Sequence, residues 1–405
     1  MSGVSVDWHR ARELAHAAGA AAARPARRLP LAGCDGATLA EALCAGTDLP
    51  AFRTCAVDGW AVRGAGPWRV VGRAAAGSAP PPLEADGTAV AVATGAPVPR
   101  GAAAVLRAED TGRAGDGRIT GRPPVRAQWR ERAEEASAGD VLVPGGVDVT
   151  PAVLGLAAAG GHDTLPVRVA PAARGLVFGD ELVGRGPAGG HLLRDALGPA
   201  LPGWLARLGA RHAAPPPQPL PDTPGAHRAA LRAALAEADV VCTTGGTADG
   251  PADHVRAALA TLGAAPVVDR VAVRPGHPML LAAVPGVAAG GPRFVVALPG
   301  NPLAAVAGLL TLAGPLVSGL RGRPPAPCGN LAVDSAVAGA AGRTRLVPAT
   351  VDPATGAARP AAHTGPAMLR GLAAATGLLV VPPGGVAAGG RADFLPLPLW
   401  PGAGA

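Results

Sequence analysis

The hydrophobic pattern of the chain changes near residue 170. Before that point, an Ala-rich stretch at 7–24 has apolar residues at helical spacing and predicts a helix, and a second helix is predicted at 36–45. Short apolar runs broken by Gly and Pro predict a β-rich segment over 66–143. Residues 144–161 predict a turn and a short helix that ends at a Gly-Gly pair.

After residue 170, strands and helices alternate. The strand-like runs are RGLVF, DVVCTT and RFVVALP, and helices are predicted at 192–208, 224–237, 251–262 and 302–320. Such alternation is typical of a doubly wound α/β domain with a mainly parallel sheet. A Pro-rich linker at 321–328 then leads into a tail of short β runs. The whole pattern predicts a multi-domain protein of the α/β plus β class.

The amino-acid composition is strongly biased, which affects how much each residue type reveals about structure and function. Gly (59) and Pro (45) make up about a quarter of the 405 residues, which raises the question of disorder. However, 49% of residues are hydrophobic and 16% are charged, the opposite of a disordered chain. The chain has no Lys and one Ile, Ile119. We interpret this as a drift toward Ala, Gly, Pro and Arg, so that a rare residue kept in a motif carries more information.

Charge and cysteine content exclude several classes of protein. The net charge is +7, but the Arg residues are scattered singly, without the basic stripe and interleaved aromatics of nucleic-acid binders. Five Cys without a C-x-x-C spacing predict free thiols in a reducing cytoplasm rather than a disulfide framework or a zinc site. Asp7 and Arg10 lie where a secretory signal would be apolar, and no uninterrupted apolar run reaches about 18 residues, so no export and no membrane span are expected.

Three loops in the second half combine Gly or Pro with polar residues. The segment TTGGTADGPAD, at the end of a strand, contains Gly245 and Gly246 and then Asp253. Asp253 either caps the next helix or lies in a ligand site. LPGNP places Asn301 at the start of another helix, where it tolerates unusual backbone angles or binds a ligand. RPGHP holds His277 on a tight turn that suits oxyanions, or leaves it exposed to solvent. Loops at the carboxyl ends of neighbouring strands line one crevice in an open α/β sheet, which predicts a ligand site there.

GDEL places Asp180 and Glu181 after the first strand of this half. Paired carboxylates beside an anion-binding crevice suggest Mg²⁺, although either can be a solvated loop charge. Gly184, Gly186 and Gly189 fit G-x-G-x-x-G, but a proline interrupts them and no acid follows about 20 residues on. The hypothesis of a nicotinamide oxidoreductase therefore rests on this match alone.

Two segments of the first half are also less generic than the rest. AVDGWAV contains Asp58, and TGAPVPRG contains Thr94. Either segment fits an ordinary turn. Neither fits a Ser-His-Asp, zinc or phosphate-loop motif.

Taken in order, these segments resemble the molybdopterin molybdenumtransferases, the family of MoeA and the gephyrin E-domain. The resemblance spans nearly the whole chain, and TGAPVP, RPGHP and LPGNP at these spacings are specific to it. It implies a homodimer whose partner subunit completes the active site. It also implies four domains. An N-terminal domain would comprise 1–43 with 144–169, and a β-rich domain would be inserted at 44–143. A MoaB-like α/β domain would span 170–321, and a C-terminal β-barrel would span 322–405.

The resemblance implies an enzyme of molybdenum cofactor biosynthesis. Molybdate would be inserted into the dithiolene of adenylated molybdopterin, with Mg²⁺ as cofactor and with release of AMP. Family positions imply a catalytic role for Asp58, Thr94, Glu181, Asp222 and Asp253, of which Glu181, Asp222 and Asp253 are the candidate Mg²⁺ ligands. The implied ligand-binding residues are Gly245, Gly246, Arg274, Gly276, His277, Pro278, Pro299, Gly300, Asn301 and Pro302.

The departures from the family pattern concentrate on the molybdate side. The family's K-P-G-K-P motif is RPGHP here, so that Arg274 and a histidine replace two lysines. A family Arg in the tail aligns near Pro348 and a family Ser aligns with Pro366, and Arg343 or Arg345 would compensate. An alternative function follows: a paralogue that binds molybdopterin or its nucleotide with weak or no metal insertion.

Overall fold

The chain divides into two compact units. The computed structural model describes residues 5–212, 215–247, 254–286 and 291–398. The first unit, here called the α/β unit, comprises Met1–Arg27, Gly36–Ala40 and Arg168–Ala405. The second, here called the β unit, comprises Arg28–Asp35 and Glu41–Val167.

A seven-stranded sheet forms the centre of the α/β unit. Three of its strands run parallel and adjacent: β1 (Ala172–Phe178), β2 (Val240–Thr244) and β3 (Arg293–Leu298). Two short strands, Arg211–His212 and Pro219–Leu220, pair in parallel with β1. Beyond β3 the sheet continues with two antiparallel strands, Leu280–Val284 and then Ala265–Asp269. The predicted alternation of strands and helices around a mainly parallel sheet is therefore observed, with an antiparallel edge.

Both faces of this sheet are buried. In β2, Val240 and Cys242 pack into the core on one face, and Val241 packs into the core on the other. A parallel sheet covered on both faces has a continuous apolar run rather than an alternating one, as VVCTT does. The principal helices are α1 (Trp8–Ala21), Leu201–Arg207, α2 (Pro224–Glu237), His254–Thr261 and α3 (Pro302–Leu320).

A buried carboxylate ties together the amino ends of the three central strands. Asp239, directly before β2, makes two hydrogen bonds with Ala172 of β1: its N–H donates to the Ala172 carbonyl at 2.8 Å, and its side-chain Oδ2 accepts from the Ala172 N–H at 2.9 Å. Its carbonyl accepts from the Phe294 N–H of β3 at 2.9 Å. Its Oδ1 pairs with Arg24 and Arg293, so the buried charge is compensated.

Helix α3 is long and apolar enough to cross a membrane by length and composition, but 89% of its most apolar window is buried inside the protein. Helix α1 packs along it. Trp8 Nε1 donates to Thr311 Oγ1 at 3.0 Å, and the buried Arg12 donates to the Leu310 carbonyl at 2.7 Å. Both acceptors, a side-chain hydroxyl and a backbone carbonyl, belong to a π-helical turn at Leu309–Ala313.

The C-terminal part of the α/β unit carries a second sheet. Val347, Leu379 and Phe394 belong to its core. Its strands lie in the order Val273–Arg274, Thr344–Val351, Gly377–Val381, Arg391–Pro396 and Gly329–Ala332, with Ala358–Pro360 paired to Thr344–Val351. Since Val273–Arg274 belongs to this sheet, the RPGHP loop begins there rather than in the central sheet.

The β unit is built on a four-stranded sheet, and the predicted β-rich segment is observed. Trp68 and Ile119 are almost fully buried in one of its clusters. The sheet order is Arg69–Ala74, Thr88–Val92, Gly59–Arg63 and Ala104–Arg107. Three further pairs are Thr111–Arg113 with Ile119–Gly121, Thr54–Cys55 with Trp129–Arg130, and Leu43–Cys44 with Val141–Val143.

Shorter elements complete the chain. The helix expected within 144–161 is Pro151–Ala159, and Thr150 Oγ1 caps it by accepting from the Val153 N–H. The other short elements are the strands Arg27–Pro30, Thr38–Leu39, Thr164–Arg168, Leu182–Val183 and Leu193–Arg194, the helix Arg370–Ala373 and the 3₁₀ turns Leu31–Gly33 and Ala108–Asp110.

Two helix predictions are wrong, one fully and one in part. Residues 36–45 form the strands Thr38–Leu39 and Leu43–Cys44, because strand pairing outweighs the weak helical spacing of so short a segment. The helix expected over 192–208 begins only at Leu201. Asp195 Oδ1 accepts from the Leu197 and Gly198 N–H groups and bends the preceding residues into a turn.

Helices α1 and α3 cross where a glycine of each faces the backbone of the other. A Cβ on Gly19 would lie 2.2 Å from the Leu316 carbonyl oxygen, and a Cβ on Gly319 would lie 2.3 Å from the His16 carbonyl oxygen. Both obstacles are backbone atoms, which cannot turn aside as a side chain can. A methyl group at either position therefore pushes the helices apart.

We predict that Gly19→Ala lowers the free energy of unfolding by about 1–3 kcal/mol, the usual cost of overpacking, although alanine favours helix. Gly225→Ala in α2 is the matched control, because nothing lies within 4 Å of its Cβ. The control should be neutral or stabilise the protein by about 0.4–1 kcal/mol. Urea titration followed by circular dichroism measures both, and equal stabilities for the two variants would contradict the close crossing.

Candidate functional site

A cavity of about 640 Å³, here called the main cavity, lies at the carboxyl ends of the central strands. The loops that follow β1, β2 and β3 all contribute to it, as expected for the ligand crevice of an open α/β sheet. The predicted site residues that line it are Glu181, Asp222, Gly245, Gly246, Pro278, Pro299, Gly300, Asn301 and Pro302.

The loop after β2 requires glycine at two successive positions. Gly245 (φ +87°) and Gly246 (φ +66°) both have left-handed backbone angles. A Cβ on Gly245 would lie 2.4 Å from the Phe178 carbonyl oxygen, and one on Gly246 would lie 2.8 Å from His227 Nε2. The loop is thus packed tightly on its inner side, while its backbone borders the cavity.

The acidic residues near the cavity have different roles. Glu181 and Asp222 line the main cavity. Asp180 instead accepts from the Asp222 backbone N–H at 3.1 Å and thereby holds the Asp222 loop. Asp222 Oδ1 is buried and has no hydrogen-bond partner among the described residues. A buried carboxylate oxygen with unused lone pairs fits a cation or a donor of a bound ligand.

The LPGNP loop has ordinary backbone geometry. Asn301 has φ −68° and ψ 125°, so the expectation of unusual backbone angles is wrong. Its side chain makes no capping bond to α3. The Leu303 and Ala304 N–H groups at the start of α3 donate to the Pro366 carbonyl at 2.9 and 3.3 Å. These helix donors are therefore engaged, and the Asn301 side chain remains as the polar group that this loop offers to a ligand.

The RPGHP loop is divided between two places. Pro278 lines the main cavity, whereas Arg274 lines a smaller one of about 300 Å³, here called the second cavity. His277 faces its own loop, with Nδ1 donating to the Val271 carbonyl at 2.7 Å. Gly276 is buried. As far as the described residues define the two cavities, neither Gly276 nor His277 lines one.

The second cavity brings together two arginines. Arg274 and Arg345 are register partners on adjacent parallel strands, and both line the cavity. Arg345 donates to the Ala338 carbonyl at 2.6 Å, which holds the guanidinium in place. Pro348 is buried further along the same strand, and Arg343 is exposed. Of the two arginines considered as compensation for lost family residues, Arg345 is the one placed in a cavity.

Asp58 and Thr94 form a pair on the surface of the β unit. Asp58 Oδ1 accepts from the Thr94 backbone N–H at 2.6 Å and from Thr94 Oγ1 at 2.9 Å. Both bonds hold the pKa of Asp58 below its ordinary value, and the bond from the backbone N–H has the larger effect. Asp253, the remaining predicted catalytic residue, lies outside the described residues.

Sequence reasoning missed Arg194, the one cation that lines the main cavity among the described residues. The short strand Leu193–Arg194 pairs in parallel with Leu182–Val183, and Arg194 Nη1 donates to the Val183 carbonyl at 3.1 Å, which holds this side chain in place. The helix predicted over 192–208 concealed this strand. The Gly198-Pro199 pair, a loop signal three residues after Asp195, indicates that a helix does not run through this region.

Comparison with known proteins identifies the family. Family models match the MoeA N-terminal region (domains I and II) over residues 4–161, a probable molybdopterin binding domain over 175–319 and the MoeA C-terminal region (domain IV) over 330–397. The molybdopterin molybdenumtransferase of Synechococcus elongatus is 34% identical over 291 residues, which cover 68% of this chain and 71% of that protein. The chain belongs to the molybdopterin molybdenumtransferase family.

Two further relatives agree with this assignment. The Haemophilus influenzae molybdopterin molybdenumtransferase is 30% identical over 305 residues, which cover 70% of each chain. A crystal structure of the molybdopterin biosynthesis MoeA protein from Pyrococcus horikoshii matches 98% of this chain and 100% of that chain, with a TM-score of 0.75 at 23% identity. The predicted MoeA-like multi-domain fold and the predicted role in molybdenum cofactor biosynthesis are confirmed.

In this family member, we predict that Thr94→Val raises the pKa of Asp58 but leaves it below its ordinary value, because the backbone N–H bond remains. A lowered carboxyl pKa stabilises the folded state above the unfolded pKa, and this contribution is lost as the pH falls below about 4. Carbon-13 NMR titration of the Asp58 carboxyl measures the shift. Thr94→Ser keeps the hydroxyl and should leave the pKa unchanged, whereas an unchanged pKa in Thr94→Val would exclude the hydroxyl as a cause.

Proposed function

We propose that this protein inserts molybdate into the dithiolene of adenylated molybdopterin and releases AMP. The main cavity carries the proposal. Loops from three parallel strands place two carboxylates, Glu181 and Asp222, and one guanidinium, Arg194, around a single volume. That volume is in the range of about 300–1,000 Å³ that small-molecule sites occupy. The relatives from Synechococcus elongatus and Haemophilus influenzae bear the name of this activity.

The substrate would bind through groups that suit a phosphorylated, polar molecule. Arg194 would contact phosphate oxygens, since a guanidinium meets a phosphate with two parallel N–H groups. The backbone of Gly245 and Gly246 borders the cavity and would approach the ligand closely. The Asn301 amide, which is not used to cap α3, would bind a polar edge of the pterin or the nucleotide.

The donors present fit Mg²⁺. Glu181 and Asp222 would hold the ion, and Asp253 is the third ligand implied by the family. Within the described residues, no group of three or more His, Cys, Asp or Glu side chains could hold a metal by itself. Mg²⁺ is usually bound by one or two carboxylates together with substrate phosphates, and Glu181 and Asp222 would supply those carboxylates. When bound, it would neutralise charge on the phosphates that separate as AMP leaves.

Molybdate, the second substrate, would bind in the second cavity. Arg274 and Arg345 place two permanent positive charges there, which suits a divalent oxyanion. Pro348 and Pro366 supply no polar side chain at the two positions where family members carry Arg and Ser. The two arginines would therefore provide the anion contacts, with the hydroxyl of Thr364, which also lines this cavity, as a further polar group.

The proposal includes finer features of the family architecture. The four-stranded sheet of the β unit would belong to an inserted domain at 44–143, between 1–43 and 144–169. The α/β domain would span 170–321, and the second sheet would form a small β-barrel within 322–405. The protein would act as a homodimer, and Asp58 and Thr94 would belong to the active site.

Complementation of a strain that lacks its molybdenumtransferase tests the function. We predict that the wild-type protein restores molybdoenzyme activity at low molybdate. Arg345→Ala should need roughly tenfold more molybdate, because it loses one charge-assisted contact. Arg343→Ala removes an exposed arginine of the same strand region and should behave as wild type.

The same experiment separates the leading function from its alternative. If the wild-type protein fails to complement at any molybdate concentration, yet the purified protein binds adenylated molybdopterin, the chain is a molybdopterin-binding paralogue. If it also fails to bind that molecule, both functions are wrong.

A second prediction concerns Arg194. Arg194→Ala should raise the KM for adenylated molybdopterin about tenfold, the effect of losing a hydrogen bond to a charged group, with a smaller rise for Arg194→Lys. Arg185→Ala, in the loop that leads to this strand and outside the main cavity, is the control. Steady-state kinetics of molybdate insertion measure both, and an equal KM for the alanine variants would exclude Arg194 from substrate binding.

A further inference from the structure

A completely buried histidine lies beneath the main cavity, and no part of the proposed function uses it. His227, in the first turn of α2, has no solvent exposure. Its Nδ1 lies 3.0 Å from the Thr223 carbonyl oxygen. A carbonyl oxygen can only accept, so Nδ1 carries a hydrogen and the ring is held with Nε2 on the opposite side.

The ring of His227 contacts the elements that line the main cavity. It stacks on Phe178 at the end of β1, with 3.6 Å between ring centroids and 16° between planes. The His254 ring lies edge-on, with a centroid distance of 5.5 Å. On the upper side, Gly246 passes so closely that a Cβ there would lie 2.8 Å from His227 Nε2. His227 is therefore packed between β1, the loop after β2 and the helix that follows that loop.

Nε2 also faces one of the two carboxylates of the main cavity. It lies 3.5 Å from Asp222 Oδ1, the buried oxygen that has no hydrogen bond within the described residues. The Asp222 backbone is held separately, through its N–H and Asp180 Oδ1. Backbone and carboxylate of Asp222 are thus oriented by two different residues.

We propose that His227 is a positioning residue that orients the Asp222 carboxylate toward the ligand and supports the Gly246 loop. This role rests on the proposed function, in which Asp222 would hold Mg²⁺ at the phosphates. The two nitrogens of His227 face the Thr223 carbonyl and the Asp222 carboxylate, which links the start of α2 to the cavity.

A double-mutant cycle on the full-length protein tests the role. The variants are His227→Phe, Asp222→Asn and the double variant, and the probe is AMP with Mg²⁺, measured by isothermal titration calorimetry. We expect His227→Phe to weaken the Mg²⁺-dependent binding of AMP about tenfold, as loss of a residue that orients a metal ligand usually does. In the Asp222→Asn background, the same substitution should weaken binding less than twofold, because the group that it orients is already altered.

The second readout is kinetic. His227→Phe should lower kcat for molybdate insertion about tenfold while the KM for molybdate changes less than twofold, because the second cavity is untouched. His227→Gln places an amide nitrogen near the position of Nε2 and should recover part of both losses. Leu231→Ala, one turn further along α2 and fully buried, is the control for lost stability and should leave Kd and kcat within twofold below its unfolding temperature.

The outcomes separate this proposal from the proposed function. Equal weakening of AMP binding by His227→Phe in both Asp222 backgrounds, or an effect no larger than that of Leu231→Ala, would overturn the positioning role. If the wild-type protein inserts no molybdate, the proposed function fails, and the calorimetric cycle still decides whether His227 orients Asp222. If the two substitutions are then non-additive, His227 still orients Asp222, but only for nucleotide binding.

Discussion

The arrangement of the α/β unit depends on one buried carboxylate. Asp239 holds β1 and β3 to β2 at their amino ends, and its charge is balanced by Arg24 and Arg293. Strands that begin together and run parallel also end together, so the loops after them meet at one edge of the sheet. The main cavity is the consequence of that alignment, and none of the Asp239 contacts lies in it.

Charge is distributed differently in the two cavities. The main cavity combines Glu181 and Asp222 with Arg194, a mixture that suits a ligand whose phosphates are partly neutralised by a cation. The second cavity presents Arg274 and Arg345 without a lining acid among the described residues, which suits a free oxyanion. Under the proposed function, two ligands of different charge would have separate environments within one unit.

Much of this could be predicted from the sequence, where local signals were strong. Helix 224–237 agrees with Pro224–Glu237, because Thr223 and Pro224 start it and the apolar spacing is regular. Arg194 and the division of the RPGHP loop could not be predicted, since they depend on pairing between distant strands. Likewise, the first N–H groups of α3 donate to the Pro366 carbonyl, a tertiary contact that no local sequence pattern indicates. Asp253 and the roles of the site residues remain predictions.

The segment 364–369 borders both cavities. Thr364, Gly365 and Pro366 line the second cavity, and Ala367 and Leu369 line the main one. The Pro366 carbonyl is bonded to the start of α3, immediately after Pro302 of the main cavity. One short stretch of backbone therefore contributes lining to both cavities, and its Pro366 carbonyl ties it to the first turn of the helix at the centre of the core. Under the proposed function, a displacement of this stretch would alter both substrate sites at once.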